Sequence, residues 1–162
     1  VLAGDALLTF AFELLSGVSS ARKSSALIKA IATAIGTKGM IGGQIVDMEY
    51  KDRHTSIPIM DYINIHKTGK LIAASCLCGA IAGGGRSKIR KALLRYGEYL
   101  GFVFQLIDDI IDQDGYVKHF GEIDCKRRAE QLIAHAKHEL AGISKNRYVL
   151  AAIADFVLTR RK

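Results

Sequence analysis

Three carboxylates carry the most chemistry in this sequence. Asp108, Asp109 and Asp112 follow Gly101-Phe102-Val103-Phe104-Gln105-Leu106-Ile107 and enclose Ile110-Ile111, so acidic groups at i, i+1 and i+4 stand in a strongly apolar stretch. At about 100° per residue on a helix, Asp108 and Asp112 fall on one face a turn apart, with Asp109 beside them. Like charges this close repel, and burying them is expensive. A cation relieves both costs. Oxygen-only ligands select a hard ion such as Mg²⁺, which completes its shell with water and substrate phosphate. The plainer reading of the same spacing is a solvated polar face, with Asp114 at the helix end. The dense apolar flanks mark an interior helix and favour the metal.

A second cluster is Asn64-Ile65-His66-Lys67-Thr68-Gly69-Lys70. A lysine beside a hydroxyl, next to a glycine that lets a ligand approach the backbone, suits a phosphate. An exposed basic helical turn has the same composition. The two clusters gain meaning together, because Mg²⁺, lysine and diphosphate form one electrostatic unit. The third feature is the basic terminus Arg160-Arg161-Lys162, which is either solvated or folded over an anionic site.

The elements that must position these residues are helices. Leu2 to Leu15 is apolar nearly all round, broken by Asp5, Thr9 and Glu13 in one i, i+4, i+8 stripe, and its other faces are expected to be buried. Ser24 to Ile35 is a second helix. Met40 to Glu49 contains Gly42-Gly43-Gln44 and Asp47, where paired glycines either break a helix or let two helices approach. Tyr50 to Pro58 is polar and predicts a loop. Met60 to Ile81 predicts one long helix, stopped at Gly83-Gly84-Gly85. Lys88 to Asp114 carries Leu93, Tyr96, Leu100, Val103, Ile107 and Ile111 at spacings of three and four. Glu122 to Leu140 and Val149 to Leu158 complete the set. No segment alternates with period two, so the class is all-α, with helices long enough to bundle.

Composition agrees. The chain has 162 residues, 49% hydrophobic and 24% charged, which is globular rather than disordered. One proline leaves long helices uninterrupted. Three cysteines, Cys76, Cys78 and Cys125, make neither a disulfide scaffold nor a zinc-ligand spacing, and a reducing compartment is the default. No apolar run reaches the roughly 18 residues of a membrane span. Val1 to Ala6 lacks the basic start of a signal peptide. A net charge of +7 favours an acidic partner: nucleic acid, membrane surface or a phosphorylated small molecule.

Together these residues resemble the trans-polyprenyl diphosphate synthases, most closely bacterial farnesyl diphosphate synthases. Val1-Leu2-Ala3-Gly4-Asp5-Ala6-Leu7 looks like the helix after that family's first Asp-rich motif. Gly42-Gly43-Gln44 with Asp47 is similar to its GGQ-x-x-D element, and His66-Lys67-Thr68-Gly69 to its KTG element. Phe104-Gln105 followed by Asp108-Asp109-Ile110-Ile111-Asp112 is similar to its second DDxxD motif. Ala154-Asp155-Phe156 through the basic terminus is similar to its last helix. The order of the words is the family's. The resemblance covers residues 1–162 as the later part of a polyprenyl synthetase domain. The family's first DDxxD and an arginine pair would precede Val1. A glycine- and lysine-containing loop of the family has no counterpart here, which predicts a missing segment at about Gly121/Glu122.

The resemblance implies an incomplete isoprenoid-synthase helical bundle, the terpenoid synthase fold. It implies head-to-tail transfer of an allylic diphosphate onto isopentenyl diphosphate, giving a short-chain product, with a lean toward farnesyl diphosphate. Asp108, Asp109 and Asp112 would hold Mg²⁺ (or Mn²⁺), with Asp108 the most direct. Lys67 would bind diphosphate. Thr68 and Gln105 would sit near the reacting carbon. Arg160, Arg161 and Lys162 would close over the substrate. Asp47, Gln44 and Asp5 would pack helices. A cytoplasmic homodimer is implied, with no nucleic acid and no membrane span. Three alternatives stay open: a non-catalytic or regulatory subunit of the same fold, a basic helical nucleic-acid binder, and a head-to-head synthase of the squalene type. The scattered cations and absence of interleaved aromatics count against the second. The KTG and GGQ words fit the third poorly.

Overall fold

A computed structural model describes residues 1–51, 55–143 and 147–161. Every regular element among them is helical. The order is α1 (Leu2–Ser16), α2 (Ala21–Ile35), α3 (Met40–Tyr50), α4 (Ile57–Asn64), a π-helical turn (Ile65–Gly69), α5 (Lys70–Ala82), α6 (Ser87–Asp112), α7 (Tyr116–Phe120), α8 (Glu122–Glu139), a 3₁₀ turn (Leu140–Gly142) and α9 (Arg147–Thr159). The all-α expectation holds.

The long helix α6 is the axis. Its principal neighbours are α5 on one side and α8 on the other. Tyr96, Leu100, Val103, Leu106 and Ile107 recur at helical spacing and bury one stripe against Cys125, Ala129, Ile133 and Ala136 of α8 and Ala154 and Val157 of α9. The hydroxyl of Tyr96 donates to the Leu150 carbonyl at 2.7 Å, tying α9 to this core. Burial pushes that phenol above its ordinary range.

On the opposite flank two glycines set the distance. A Cβ on Gly101 would lie 2.6 Å from the Gly69 Cα, and a Cβ on Gly97 would lie 2.6 Å from the Ala73 Cα. The α5–α6 contact is therefore backbone against backbone. It places the segment before α5 directly beside the acidic end of α6.

Three sequence expectations need correction. The stretch expected as one helix from Met60 starts at Ile57, with Pro58 in its first turn, where the missing N–H costs nothing. That same stretch is not uniformly α-helical, because Ile65–Gly69 forms a π turn. The connection from α6 to α8 contains α7, in which Tyr116 is buried. The faces of α1 outside its polar stripe are not buried. Leu2, Leu7, Phe10 and Leu14 are exposed, because α2 is the main neighbour of α1.

Candidate functional site

The π turn carries His66, Lys67, Thr68 and Gly69. Such a turn widens a helix by one residue and often marks functional positions. Its place is fixed by α3, which crosses at a point where a Cβ on Gly43 would lie 2.3 Å from the Lys67 backbone nitrogen. The glycine pair thus permits close approach rather than breaking the helix. One turn further along α3, Asp47 Oδ2 accepts from Lys67 Nζ at 2.7 Å and from Gln44 Nε2 at 3.4 Å. Lys67 and Asp47 are both partly exposed, so the ion pair orients the ammonium more than it stabilises the fold.

Thr68 faces α6. Its hydroxyl donates to Gln105 Oε1 at 3.5 Å, and Gln105 Nε2 donates to Asp109 Oδ1 at 3.2 Å. Asp109 Oδ2 accepts the backbone N–H of Tyr116 at 2.9 Å. Asp109 is only 8% exposed. Burial pushes its carboxyl above the ordinary value, and the bonds from Tyr116 and Gln105 pull it back in part. The Tyr116 hydroxyl donates to Asp61 Oδ1, and burial raises that phenol too.

Asp47, Gln105 and Asp109 line a cleft of about 570 Å³ together with Met60, Asp112 and Lys118. Asp108 points elsewhere. Its Oδ1 accepts from Arg160 Nη2, which also donates to the Phe104 carbonyl at 3.0 Å. The same guanidinium lies 3.9 Å above the Phe104 ring, a cation–π contact. Arg160 Nε is buried without a partner. Arg161 is exposed, and Lys162 lies outside the described residues.

Spacing alone puts Asp108 and Asp112 on one face with Asp109 beside them. In the structure Gln105, Asp109 and Asp112, at i, i+4 and i+7, share the cleft. Asp108 turns toward α9. Among the described residues no group of three or more His, Cys, Asp and Glu side chains is placed to hold a metal. The donor chemistry fits a Mg²⁺ held by one or two carboxylates and completed by phosphate and water; it does not fit a closed three-carboxylate cage. Sequence reasoning undervalued Asp47 and missed Asp61, Gly115 and Tyr116. The GGQ-x-x-D spacing placed Asp47 one turn from the glycine pair, which is a usable signal. Nothing local marks Asp61.

The chain is thus an all-α helical bundle that brings a Lys-Thr π turn against an acidic interior helix. A profile described as polyprenyl synthetase matches residues 1–137, and the chain belongs to that family. It is 32% identical over 183 residues to a geranylgeranyl diphosphate synthase of Cyanophora paradoxa, covering 99% of this chain and 61% of that one. The crystal structure of an FPP/GFPP synthase from Zymomonas mobilis superposes with a TM-score of 0.89 at 32% identity, over 97% of this chain and 60% of that one. A Helicobacter pylori geranyltransferase solved with magnesium and isoprenyl diphosphate gives 0.80 at 29% identity, over 98% of this chain and 58% of that one. This chain thus spans about three fifths of those proteins. No helix among the described residues is long and apolar enough to cross a membrane.

Proposed function

We propose that this protein is a Mg²⁺-dependent short-chain prenyl diphosphate synthase. It joins an allylic diphosphate, dimethylallyl or geranyl, to isopentenyl diphosphate, with farnesyl diphosphate the preferred product. The observation that carries this reading is the Thr68–Gln105 contact. It sets the Lys-Thr turn beside the acidic helix whose Gln105, Asp109 and Asp112 line the cleft, and Asp47, which lines the same cleft, holds Lys67.

The difficult step is loss of a diphosphate: the allylic C–O bond breaks, the leaving group keeps the electron pair, and a carbocation remains. The isopentenyl double bond then attacks the cation and a proton is lost. Bound Mg²⁺ would supply neutralisation of charge on the departing diphosphate. Asp112, at the cleft, would hold it, joined by Asp108 once Arg160 releases that carboxylate. Lys67, oriented by Asp47, presents its ammonium to the diphosphate. The oxygens of Thr68 and Gln105 present negative dipole ends where positive charge develops, which is where fixed dipoles accelerate a reaction most. Met60 and Ile63 supply apolar surface at the cleft, which keeps water from the cation. Arg160, bonded to Asp108 and followed by Arg161, adds cationic charge at the same end.

The proposal extends to the rest of the protein. Alignment with the Cyanophora relative runs over 183 residues, longer than the 162 of this chain, so that relative carries residues this chain lacks, in keeping with a segment missing near Gly121/Glu122. The exposed apolar residues of α1 suit a homodimer or the remaining part of the bundle. The same surface is what a non-catalytic subunit of this fold would use, and that is the second reading. Free cysteines fit a reducing cytoplasm. The test is direct. Purified protein with Mg²⁺, isopentenyl diphosphate and an allylic diphosphate is expected to form a prenyl product. Absence of product, with Asp108→Ala indistinguishable from wild type, rejects the enzyme and leaves the subunit.

A further inference from the structure

Asp109 stands in the middle of the acidic cluster, yet both of its oxygens are already engaged. Oδ1 takes the Gln105 amide at 3.2 Å and Oδ2 takes the Tyr116 backbone N–H at 2.9 Å. The turn after α6 is folded onto this carboxylate. A Cβ on Gly115 would lie 2.1 Å from Oδ2 and 2.7 Å from Oδ1, and Gly115 has φ of 53°. Only glycine lets the chain pass so close. A side chain clamped from two sides in this way has little freedom to turn toward an ion in the cleft.

The Gln105 amide has one donor end and one acceptor end. An ionised carboxylate accepts only, so Asp109 must take the Nε2 end. The carbonyl Oε1 is then turned to Thr68 Oγ1 at 3.5 Å, where the hydroxyl donates. Reversing the amide would aim an N–H at Thr68 and put the positive end of a dipole where the carbocation forms. Which end of Gln105 faces Thr68 is therefore decided by Asp109.

We infer that Asp109 is a positioning residue that fixes the orientation of the Gln105 amide, and that it is not a metal ligand. The metal falls to Asp108 and Asp112. The consequence for rate rests on the prenyl-transfer reading, whereas the consequence for metal affinity and for the amide does not.

Asp109→Asn tests it, with Asp108→Asn as comparator. The asparagine introduced in the first variant keeps its oxygen on the Tyr116 N–H and turns its own NH₂ to Gln105, which must reverse. Loss of a group that orients a working side chain costs about 10–100-fold, so kcat is expected to fall by at least about tenfold with KM little changed. Mn²⁺ affinity, measured by electron paramagnetic resonance on the substrate-free protein, is expected to change less than about twofold in Asp109→Asn and to weaken at least about tenfold in Asp108→Asn. The double variant Gln105→Glu with Asp109→Asn exchanges donor and acceptor across the pair. Its new glutamate accepts from both the new asparagine and Thr68, and kcat is expected to recover several-fold over the single variant.

Mn²⁺ affinity lost equally in both single variants overturns the assignment, as does an unchanged kcat, as does a double variant no better than Asp109→Asn. If the Asp109→Asn protein does not fold, Gln105→Glu alone decides. Repulsion between the new glutamate and Asp109 should lower kcat with Mn²⁺ affinity unchanged, whereas tighter Mn²⁺ binding would mark Asp109 as a ligand. If wild type makes no prenyl product, the functional reading fails separately. The Mn²⁺ measurements and the Gln105 side-chain amide resonances, which shift on Asp109→Asn only if that bond exists, still judge the positioning role.

Discussion

Replacing Gly43 by alanine tests how tightly the fold holds its Lys-Thr turn. The new Cβ would lie 2.3 Å from the Lys67 nitrogen and 2.9 Å from both the carbonyl carbon and Cβ of His66. An ordinary contact is about 3.5 Å or more between carbons, so α3 and the π turn must separate by roughly 1 Å. Both partners are helical backbone and neither can swing aside. Overpacking of this kind costs about 1–3 kcal/mol. For a chain of this size each kcal/mol moves Tm by about 2–4 °C, so a drop between roughly 2 and 12 °C is expected. The Asp47–Lys67 pair spans the same two elements and is drawn apart with them. Displacement of about 1 Å at a reacting group costs on the order of 10²-fold in rate. Calorimetry and a radiolabelled isopentenyl diphosphate assay read the two effects. Gly79→Ala is the control. Its Cβ meets nothing within 4 Å in the middle of α5, so it should gain about 0.5–1 kcal/mol through helix propensity alone. A Gly43→Ala protein with wild-type Tm and kcat would refute the claim that this crossing positions Lys67.

Other outcomes follow from single contacts. Tyr116→Phe removes the hydroxyl bonded to Asp61 and leaves a carboxylate oxygen short of a donor, with an expected loss of about 1–3 kcal/mol in chemical denaturation. Arg160→Gln frees Asp108 and is expected to tighten Mn²⁺ binding to the substrate-free protein several-fold, because a competing cation is gone; unchanged affinity would separate Asp108 from the metal. Hydrogen bonds from Lys126 and Gln113 hold the Glu122 carboxyl below its ordinary value of 4.5. Its contribution is therefore present above that value and lost as pH falls through the lower folded one. The stability difference between wild type and Glu122→Gln should shrink on acidification below about pH 4.5, and a difference that grows there would reverse the sign.

Much of this architecture was legible because hydrophobic spacing is a local property. Tyr96, Leu100, Val103 and Ile107 announced the interior face of α6, and glycines announced crossings. The π turn was not legible, since Ile65 to Gly69 carries no residue type that distinguishes it from α-helix. Its geometry comes from contacts with Gly43 and Gly101 far away in sequence. The roles within the acidic cluster were hidden for a related reason. Spacing gives the angles between Asp108, Asp109 and Asp112 around one cylinder, but not what stands opposite each. Tyr116, Gln105 and Arg160 decide that, and Arg160 is 52 residues from its partner. The motif words named Gln105, Asp109 and Asp112, which share one cleft, while the partners of each are set by tertiary structure.

The π turn also bears on which sequence changes the site can survive. A π turn holds one residue more than the α-helical path it replaces. Removing any single residue between Ile65 and Gly69 would let the stretch relax to a regular helix. Everything on one side would then rotate by about 100° relative to the other. Thr68 would leave Gln105, and the glycine contact with α6 would lose its register. Point substitutions at His66 or Ile65 disturb nothing on that scale. The segment is thus guarded more by its length than by its lettering, and single-residue deletions scanned across residues 57–82 should find their sharpest loss at 65–69.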